Sequence, residues 1–112
     1  MKGGCIIKKA KIIDKIVIND QNTLNIYENL ENPLFKVQEV MGLLGYKRPK
    51  MGSYLITPVI DRVSDYNRIK RLNKKNIPTW FINKEGLIEV LLYSRKRTAQ
   101  EIKHEIMTLF FE

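Results

Sequence analysis

Apolar residues recur at helical spacing in one stretch of the chain, around which the other predicted elements are arranged. Val37, Val40, Met41 and Leu44 fall at positions i, i+3, i+4 and i+7, which places them on one face of an α-helix. Gly45 follows the last of them, where the backbone at a helix C-terminus commonly adopts a left-handed conformation. The pattern therefore predicts a short helix that ends at this glycine.

The hydrophobic pattern before this helix predicts strands. Residues 12–18 are rich in β-branched side chains, residues 19–22 have the composition of a turn, and residues 23–27 alternate between polar and apolar positions. Together these segments indicate a β-hairpin. Residues 34–37 form either a third strand or the start of the helix, and residues 6–7 begin an earlier short strand.

Polar connections follow the helix. Residues 47–58 have the proline, glycine and serine content of a loop, and residues 59–63, with Ile69 and Leu72, predict one or two helical turns. Residues 67–76 are very polar and carry five cations. They form either a solvated loop or a surface that contacts an anion.

The last third of the chain predicts a strand and two amphipathic helices. Residues 79–82 form the strand, and a helix with apolar positions 87, 90 and 91 follows it after a turn. Thr98 and Glu101 have the spacing of a capping box at the start of the last helix. The predicted apolar stripe of this helix comprises Ala99, Ile102, Ile106, Leu109 and Phe110.

These elements predict a single α+β domain over residues 1–112, with a small antiparallel sheet and three or four short helices. A chain of 112 residues, 44% of them hydrophobic, is long enough for one core. No apolar run approaches the roughly 20 residues that a membrane helix needs, so we expect no membrane partner. The single cysteine, Cys5, and the lack of a signal peptide favour an intracellular protein.

The charge of the chain narrows the expected partners. Twenty Lys and Arg residues against twelve Asp and Glu residues give a net charge of +8, which favours a polyanion, with nucleic acid first. The charge is polarised along the chain. Residues 20–40 carry four carboxylates against one lysine, a net −3, whereas residues 47–75 carry nine cations against two carboxylates, a net +7.

Clustered cations beside tyrosines are the candidate chemistry. Lys and Arg side chains neutralise phosphates, and tyrosines add hydrogen bonds or stacking, although each tyrosine is equally compatible with a place at the edge of the core. Three groups of cations are the candidate nucleic-acid contacts: Lys47, Arg48 and Lys50 after the first helix, Arg68, Arg71, Lys74 and Lys75 in the polar segment, and Arg95, Lys96 and Arg97 before the last helix. The first and third groups each follow an apolar helix, so we expect them to share one surface.

The residues that catalysis or metal binding would need are missing from the pattern. One histidine, His104, and one cysteine cannot form a zinc site of the usual spacing. Asp61, Glu85 and Glu89 could hold Mg²⁺ in principle, but they lack the spacing of a nuclease. We therefore expect no enzymatic activity, no metal and no cofactor.

Two separated stretches together resemble a known family. Phe35, residues 39–40 and residues 44–46 are similar to the strand-to-helix signature of the BRO amino-terminal domain, which occurs in baculovirus repeated-ORF proteins and phage antirepressors. Residues 80–87 and 94–96 resemble the family's later strand, its glycine-started helix and the Ser-Arg-Lys break before its last helix. The resemblance covers residues 12–107.

The chain also departs from the family pattern. Glu39 stands where the family usually has aspartate, and residues 50–58 look like an insertion. The large carboxy-terminal domain that often follows is not in this chain, so we expect an excised domain or a short stand-alone member.

The resemblance implies a DNA-binding domain of a viral or phage antirepressor-like regulatory protein, acting in transcription. Whether the DNA is single- or double-stranded stays open. So does the alternative of a module that binds a host or phage repressor without nucleic acid. A homodimer stays open as well.

Overall fold

A computed structural model describes residues 8–19, 22–50, 52–94 and 97–111, and these form five strands, four α-helices and one 3₁₀ turn. In chain order the elements are β1 (Ile12–Asn19), β2 (Asn22–Tyr27), β3 (Leu34–Lys36), α1 (Val37–Leu43), α2 (Thr57–Ile60), the 3₁₀ turn (Asp65–Asn67), β4 (Arg68–Leu72), β5 (Pro78–Asn83), α3 (Lys84–Leu92) and α4 (Arg97–Phe110). The predicted strand at residues 6–7 lies outside the described residues.

The strands form one antiparallel sheet in the order β1-β2-β3-β5-β4. The β1–β2 hairpin and the β4–β5 hairpin lie on either side of β3, which is only three residues long. Tyr27 pairs with Leu34 across β2 and β3, and Phe35 pairs with Ile82 across β3 and β5. The predicted α+β fold with a small antiparallel sheet is confirmed.

One face of the sheet carries the helices and the main core. Phe35 and Ile82 on this face are completely buried, as are Leu87 of α3 and Ile102 and Ile106 of α4. The four predicted apolar positions of α1 are buried as well, at 37, 40, 41 and 44. The sequence periodicity of α1 therefore identifies the side that packs on the sheet.

Gly45 ends α1 as the sequence predicts. Its φ of 82° lies in the left-handed region, where a residue without a Cβ atom is favoured. The amide of Gly45 donates to the carbonyl of Gly42 at 3.1 Å, and the amide of Tyr46 donates to the carbonyl of Met41 at 3.0 Å. This pair of bonds is a Schellman motif, which satisfies two of the free carbonyls at the end of the helix.

The opposite face of the sheet has a small core of its own. Tyr27, Leu34 and Phe81 are buried there, with the Tyr27 and Phe81 rings in edge-to-face contact at a centroid distance of 5.0 Å. Residues 8–11, here called the strap, cross this face from β4 to the start of β1. Ala10 of the strap is buried in the same cluster.

Backbone hydrogen bonds fix both ends of the strap. The Ala10 amide donates to the Leu72 carbonyl at 2.9 Å, and the Leu72 amide donates to the Lys8 carbonyl at 2.8 Å. At its other end the Lys11 carbonyl accepts from the Glu28 amide at 3.0 Å. The strap therefore pairs with the outer edge of β4, which β5 leaves unpaired.

The interpretation of residues 67–76 as a loop is wrong for residues 67–72 and holds for residues 73–76, which form a turn. The helical assignment of Ile69 and Leu72 is also wrong. Residues 68–72 form β4, and Asn67 before them is buried. Local periodicity fails here because the long polar side chains of this edge strand cover apolar surface or form pairs. Lys70 lies over the ring of Trp80, for example, with its Nζ atom 4.7 Å from the centroid.

Two details of the other helical predictions also change. Helix α4 already includes Arg97, so Thr98 lies within its first turn and is not the N-cap. Leu109 is 55% exposed and does not belong to the buried stripe. The helical turn predicted over residues 59–63 corresponds to α2, which begins two residues earlier. None of the helices within the described residues has the length and apolar character to cross a membrane.

Truncating either of two buried leucines should strongly destabilise the domain. Leu44→Ala and Leu91→Ala should each lower the free energy of unfolding by about 2–5 kcal/mol, because each leaves a cavity in the core. Leu92→Ala is the matched control, since Leu92 is next in α3 and 63% exposed, and it should change stability by about 0.5 kcal/mol or less. Denaturant melts that agree for Leu91→Ala and Leu92→Ala would contradict the assignment of the buried face.

Candidate nucleic-acid interface

A tight turn between β4 and β5 presents two of the predicted cations. The Asn73 side-chain oxygen accepts from the amides of Lys75 at 2.8 Å and Ile77 at 3.0 Å, which closes the turn. Asn76 has a φ of 61°, a conformation that asparagine tolerates better than most residues. Lys74 and Lys75 are consequently held, exposed, at the tip of the hairpin.

Three further lysines reach the same side of the sheet. Lys36 is the last residue of β3 and pairs with Phe81, so it shares the face that the strap crosses. Lys9 and Lys11 lie on the strap and are exposed. Three separate segments of the chain therefore bring lysines to one face.

These lysines line a cavity of about 730 Å³, here called the lysine cavity. Tyr27 and Phe81 contribute apolar surface to it, and Glu39 is the one carboxylate among the described residues of its lining. The cationic lining residues are Lys9, Lys11, Lys36, Lys74 and Lys75. A cavity with five lysines and one carboxylate has a strongly positive potential, which favours anionic ligands.

Glu39 is fixed in the lysine cavity by hydrogen bonds. The Tyr27 hydroxyl donates to its Oε2 atom at 2.6 Å, and the Asn25 amide donates to the same atom at 3.3 Å. Burial, together with the hydrogen bond and charge of Glu39, raises the pKa of Tyr27 far above its usual value. Tyr27 therefore remains a neutral donor, and Glu39 keeps a fixed position among the lysines.

A second cavity of about 540 Å³ adjoins the lysine cavity, and we call it the aromatic cavity. It adds Arg48, Tyr54 and Trp80 to the surface. The two cavities share the lining residues Lys36, Glu39, Ser53, Asn73 and Ile77. Arg48 therefore lies on the same continuous surface as the lysines, whereas Lys47 and Lys50 are exposed and line neither cavity.

A comparison with protein-family models shows the family to which the chain belongs. The model described as the BRO family, N-terminal domain, matches residues 23–109, which is more than half of the chain. The chain belongs to this family. Domains of the BRO family are generally DNA-binding domains of viral and phage proteins. Neither the curated proteins nor the solved structures gave a match to the chain.

Two predicted cations of the BRO domain are paired with carboxylates. Arg71 donates to Glu28 from Nε at 2.7 Å and from Nη2 at 3.3 Å, and both side chains are about three-quarters covered. Arg68 pairs with the exposed Asp65 three residues before it. A phosphate that bound to either arginine would have to compete with its carboxylate partner. This pairing favours a structural role for Arg68 and Arg71 over a role in binding DNA.

Of the third predicted group, only Arg97 lies among the described residues, and it lines neither the lysine cavity nor the aromatic cavity. Arg95 and Lys96 lie outside the described residues. Arg97 lines a separate groove between α4 and β1, with Glu101, His104 and Glu105 among its neighbours. Of the described candidates, the structure brings together Arg48, Lys74 and Lys75.

The other three lysines of the BRO domain's cavity, Lys9, Lys11 and Lys36, were not among the predicted contacts. Lys36 carried a usable signal, because strand residues alternate between the two faces of a sheet and Phe35 is apolar. Lys9 and Lys11 carried none, because the strap pairs with β4, which is about 60 residues away in the chain. Such a distant pairing leaves no local pattern.

The three carboxylates considered for Mg²⁺ are not assembled into one site. Asp61 and Glu85 are exposed, and Glu89 is occupied by hydrogen bonds with its neighbours. In the described part of the BRO domain, no three His, Cys, Asp or Glu side chains are grouped to hold a metal ion. The carboxylate of Glu89 therefore has a different role.

Glu89 ties the segment before β4 to α3. It accepts from the hydroxyl and amide of Ser64 at 2.6 and 3.1 Å, and from the side chain of Asn67 at 2.7 Å. Asn67 in turn accepts from Asn83, which caps α3 through a bond from the Gly86 amide at 2.8 Å. Burial pushes the pKa of Glu89 upward, but the three hydrogen bonds outweigh it and hold the pKa below its ordinary value of 4.5.

Glu89→Gln should lower the free energy of unfolding by about 1–3 kcal/mol at neutral pH, because the amide replaces a charged acceptor with a group that presents a donor. The lowered pKa means that the Glu89 contribution is present above pH 4.5 and is lost as the pH falls through the folded-state pKa. Denaturant melts at pH 7 and pH 3 should therefore show the gap between wild type and variant narrowing at acidic pH. A gap of constant size would contradict the role of the charge, and the exposed Glu31→Gln should show little gap at either pH.

Proposed function

We propose that this BRO domain binds DNA by placing phosphates in the lysine cavity. The observation that carries the proposal is the convergence of five lysines from the strap, β3 and the β4–β5 turn on one cavity. Like charges at such a site repel one another, and a bound polyanion removes that repulsion. DNA binding is also what the family generally does.

The chemistry of the cavity favours contact with the backbone of the nucleic acid. Lysine ammonium groups are point charges on flexible stems, which suit phosphate neutralisation better than the fixed geometry of base reading. Arg48 adds a guanidinium to the adjoining aromatic cavity. We therefore propose binding that depends on charge and only weakly on base sequence.

In its biological setting, we propose that the domain is an antirepressor-like regulator of transcription in a virus or phage. It would act inside the host cell, in the bacterial cytoplasm or the eukaryotic nucleus. A repressor protein with an acidic surface is the competing partner, since lysines also bind carboxylates. A homodimer is compatible with either partner.

Salt dependence provides the direct test of the proposal. Five phosphate contacts predict a slope of log K against log salt of about −4 to −5, with micromolar affinity at low salt. Lys74→Ala with Lys75→Ala should weaken binding and reduce the slope by about 1.8, since each lost contact removes about 0.9. Fluorescence anisotropy with labelled duplex and single-stranded oligonucleotides at several salt concentrations measures both quantities.

A charge-matched variant serves as the control for this experiment. Lys15→Ala with Lys103→Ala removes two positive charges at positions that line neither cavity. It should leave the slope close to that of the wild type. A flat salt response, no binding at low salt, or equal losses in the two double variants would contradict a DNA site at the lysine cavity.

We also propose that binding occurs without catalysis. Supercoiled plasmid incubated with the protein and Mg²⁺ or Mn²⁺ should stay intact, because Asp61, Glu85 and Glu89 do not converge. Gel electrophoresis of the plasmid over several hours measures this. Nicking by the wild type that disappears in Asp61→Ala would overturn the proposal.

A further inference from the structure

The loop that follows α1 is fixed to the helix by one glutamine. The Gln38 side-chain oxygen accepts from the Tyr54 amide at 2.8 Å, and the Gln38 side-chain nitrogen donates to the Tyr54 carbonyl at 2.9 Å. A carboxamide that pairs with both polar groups of one peptide residue reproduces the pairing of two strands. The helix therefore holds Tyr54 by its backbone, independently of the tyrosine ring.

A glycine one turn later makes room for the ring of the same tyrosine. A Cβ atom built on Gly42 would lie 3.2 Å from the Tyr54 hydroxyl oxygen and 3.7 Å from two ring carbons. Gln38 and Gly42 are four residues apart and so lie on the same face of α1. Together they form a seat for Tyr54, one residue holding its backbone and the other leaving space for its ring.

The seated loop carries Arg48 to the wall of the aromatic cavity. The Arg48 side chain is exposed, and its Nε atom makes one long contact, at 3.5 Å, with the Gly52 carbonyl. Among the described residues no carboxylate forms an ion pair with it, in contrast to Arg68 and Arg71. A guanidinium with most of its donors unused, next to five lysines, is available for an anionic ligand.

We propose that Arg48 binds a phosphate of the same DNA that occupies the lysine cavity, and that Gln38 and Gly42 are positioning residues for this contact. The inference rests on the proposed function, because it assigns a second part of the same DNA site. Lys47 and Lys50 belong to the same loop but line neither cavity. They should contribute less to binding than Arg48 although they carry the same charge.

A double-mutant cycle tests the coupling between Arg48 and its seat. Arg48→Ala should weaken binding of a duplex oligonucleotide and reduce the salt slope by about 0.9, the loss of one phosphate contact. Gln38→Ala should cause a similar loss, because the loop is released. Arg48→Ala in the Gln38→Ala background should then add little, and Lys50→Ala is the control with the same charge in the same loop.

A second substitution separates positioning from folding. Gly42→Leu should fill the seat of the Tyr54 ring, yet leucine has a higher helix propensity than glycine, so the helix itself should not be weakened. The variant should still unfold in one cooperative transition, which shows that the domain is folded, and yet lose the Arg48 contribution to the salt slope. The single tryptophan, Trp80, lines the aromatic cavity, so its fluorescence reports the displacement of the loop.

The possible outcomes distinguish this inference from the proposed function. If Lys74→Ala with Lys75→Ala weakens binding while Arg48→Ala matches Lys50→Ala, the DNA site stands and the Arg48 contact is wrong. If Arg48→Ala costs as much in the Gln38→Ala and Gly42→Leu backgrounds as in the wild type, the positioning role is wrong. If none of the lysine and arginine variants changes binding, the proposed function itself fails.

Discussion

The short strand β3 is the constraint on which the rest of the structure depends. Its three residues alternate between the two faces of the sheet, with Leu34 in the small core under the strap, Phe35 in the main core under the helices, and Lys36 on the strap side again. Pairing with β2 on one side and β5 on the other joins the two hairpins into one sheet. A one-residue shift of β3 would exchange the two cores and bury the lysine.

The position of the candidate site follows from this strand. Helix α1 begins at Val37, immediately after β3, so Lys36 and Glu39 have fixed positions between the two hairpins. One hairpin supplies Tyr27, which binds Glu39, and the other supplies the turn with Lys74 and Lys75. The first turn of α1 also carries Gln38, which holds the loop with Arg48. The β1–β2 hairpin, the β4–β5 turn and the loop with Arg48 therefore all lie next to the junction of β3 and α1. This arrangement places their charged side chains on one surface.

The local part of this architecture could be predicted from the sequence and the distant part could not. The periodicity of α1, its terminal glycine and the β1–β2 hairpin are properties of neighbouring residues, and all three are found where they were expected. Strand β4 was missed because an edge strand needs few apolar residues when its long side chains stack or pair. Arg71 and Glu28 are 43 positions apart in the chain. The sequence pattern therefore gave no sign that the candidate contact Arg71 is paired with a carboxylate. The same reason explains why the sequence pattern made Lys74, Lys75 and Arg48 candidate contacts but gave no indication that Lys9 and Lys11 line the same surface.

The strap has a consequence for the behaviour of the protein in solution. An uncovered edge strand is a template for strands of other molecules, and it is the usual starting point of amyloid-like assembly. The strap occupies the β4 edge at Leu72 and protects that edge, although through only a few hydrogen bonds. Lys9 and Lys11 lie on this strap, so the segment that supplies two lysines of the proposed DNA site also covers the edge of β4, through backbone atoms of Lys8 and Ala10. Removal of the strap would therefore take two lysines from the proposed DNA site and expose the edge of β4 in the same step.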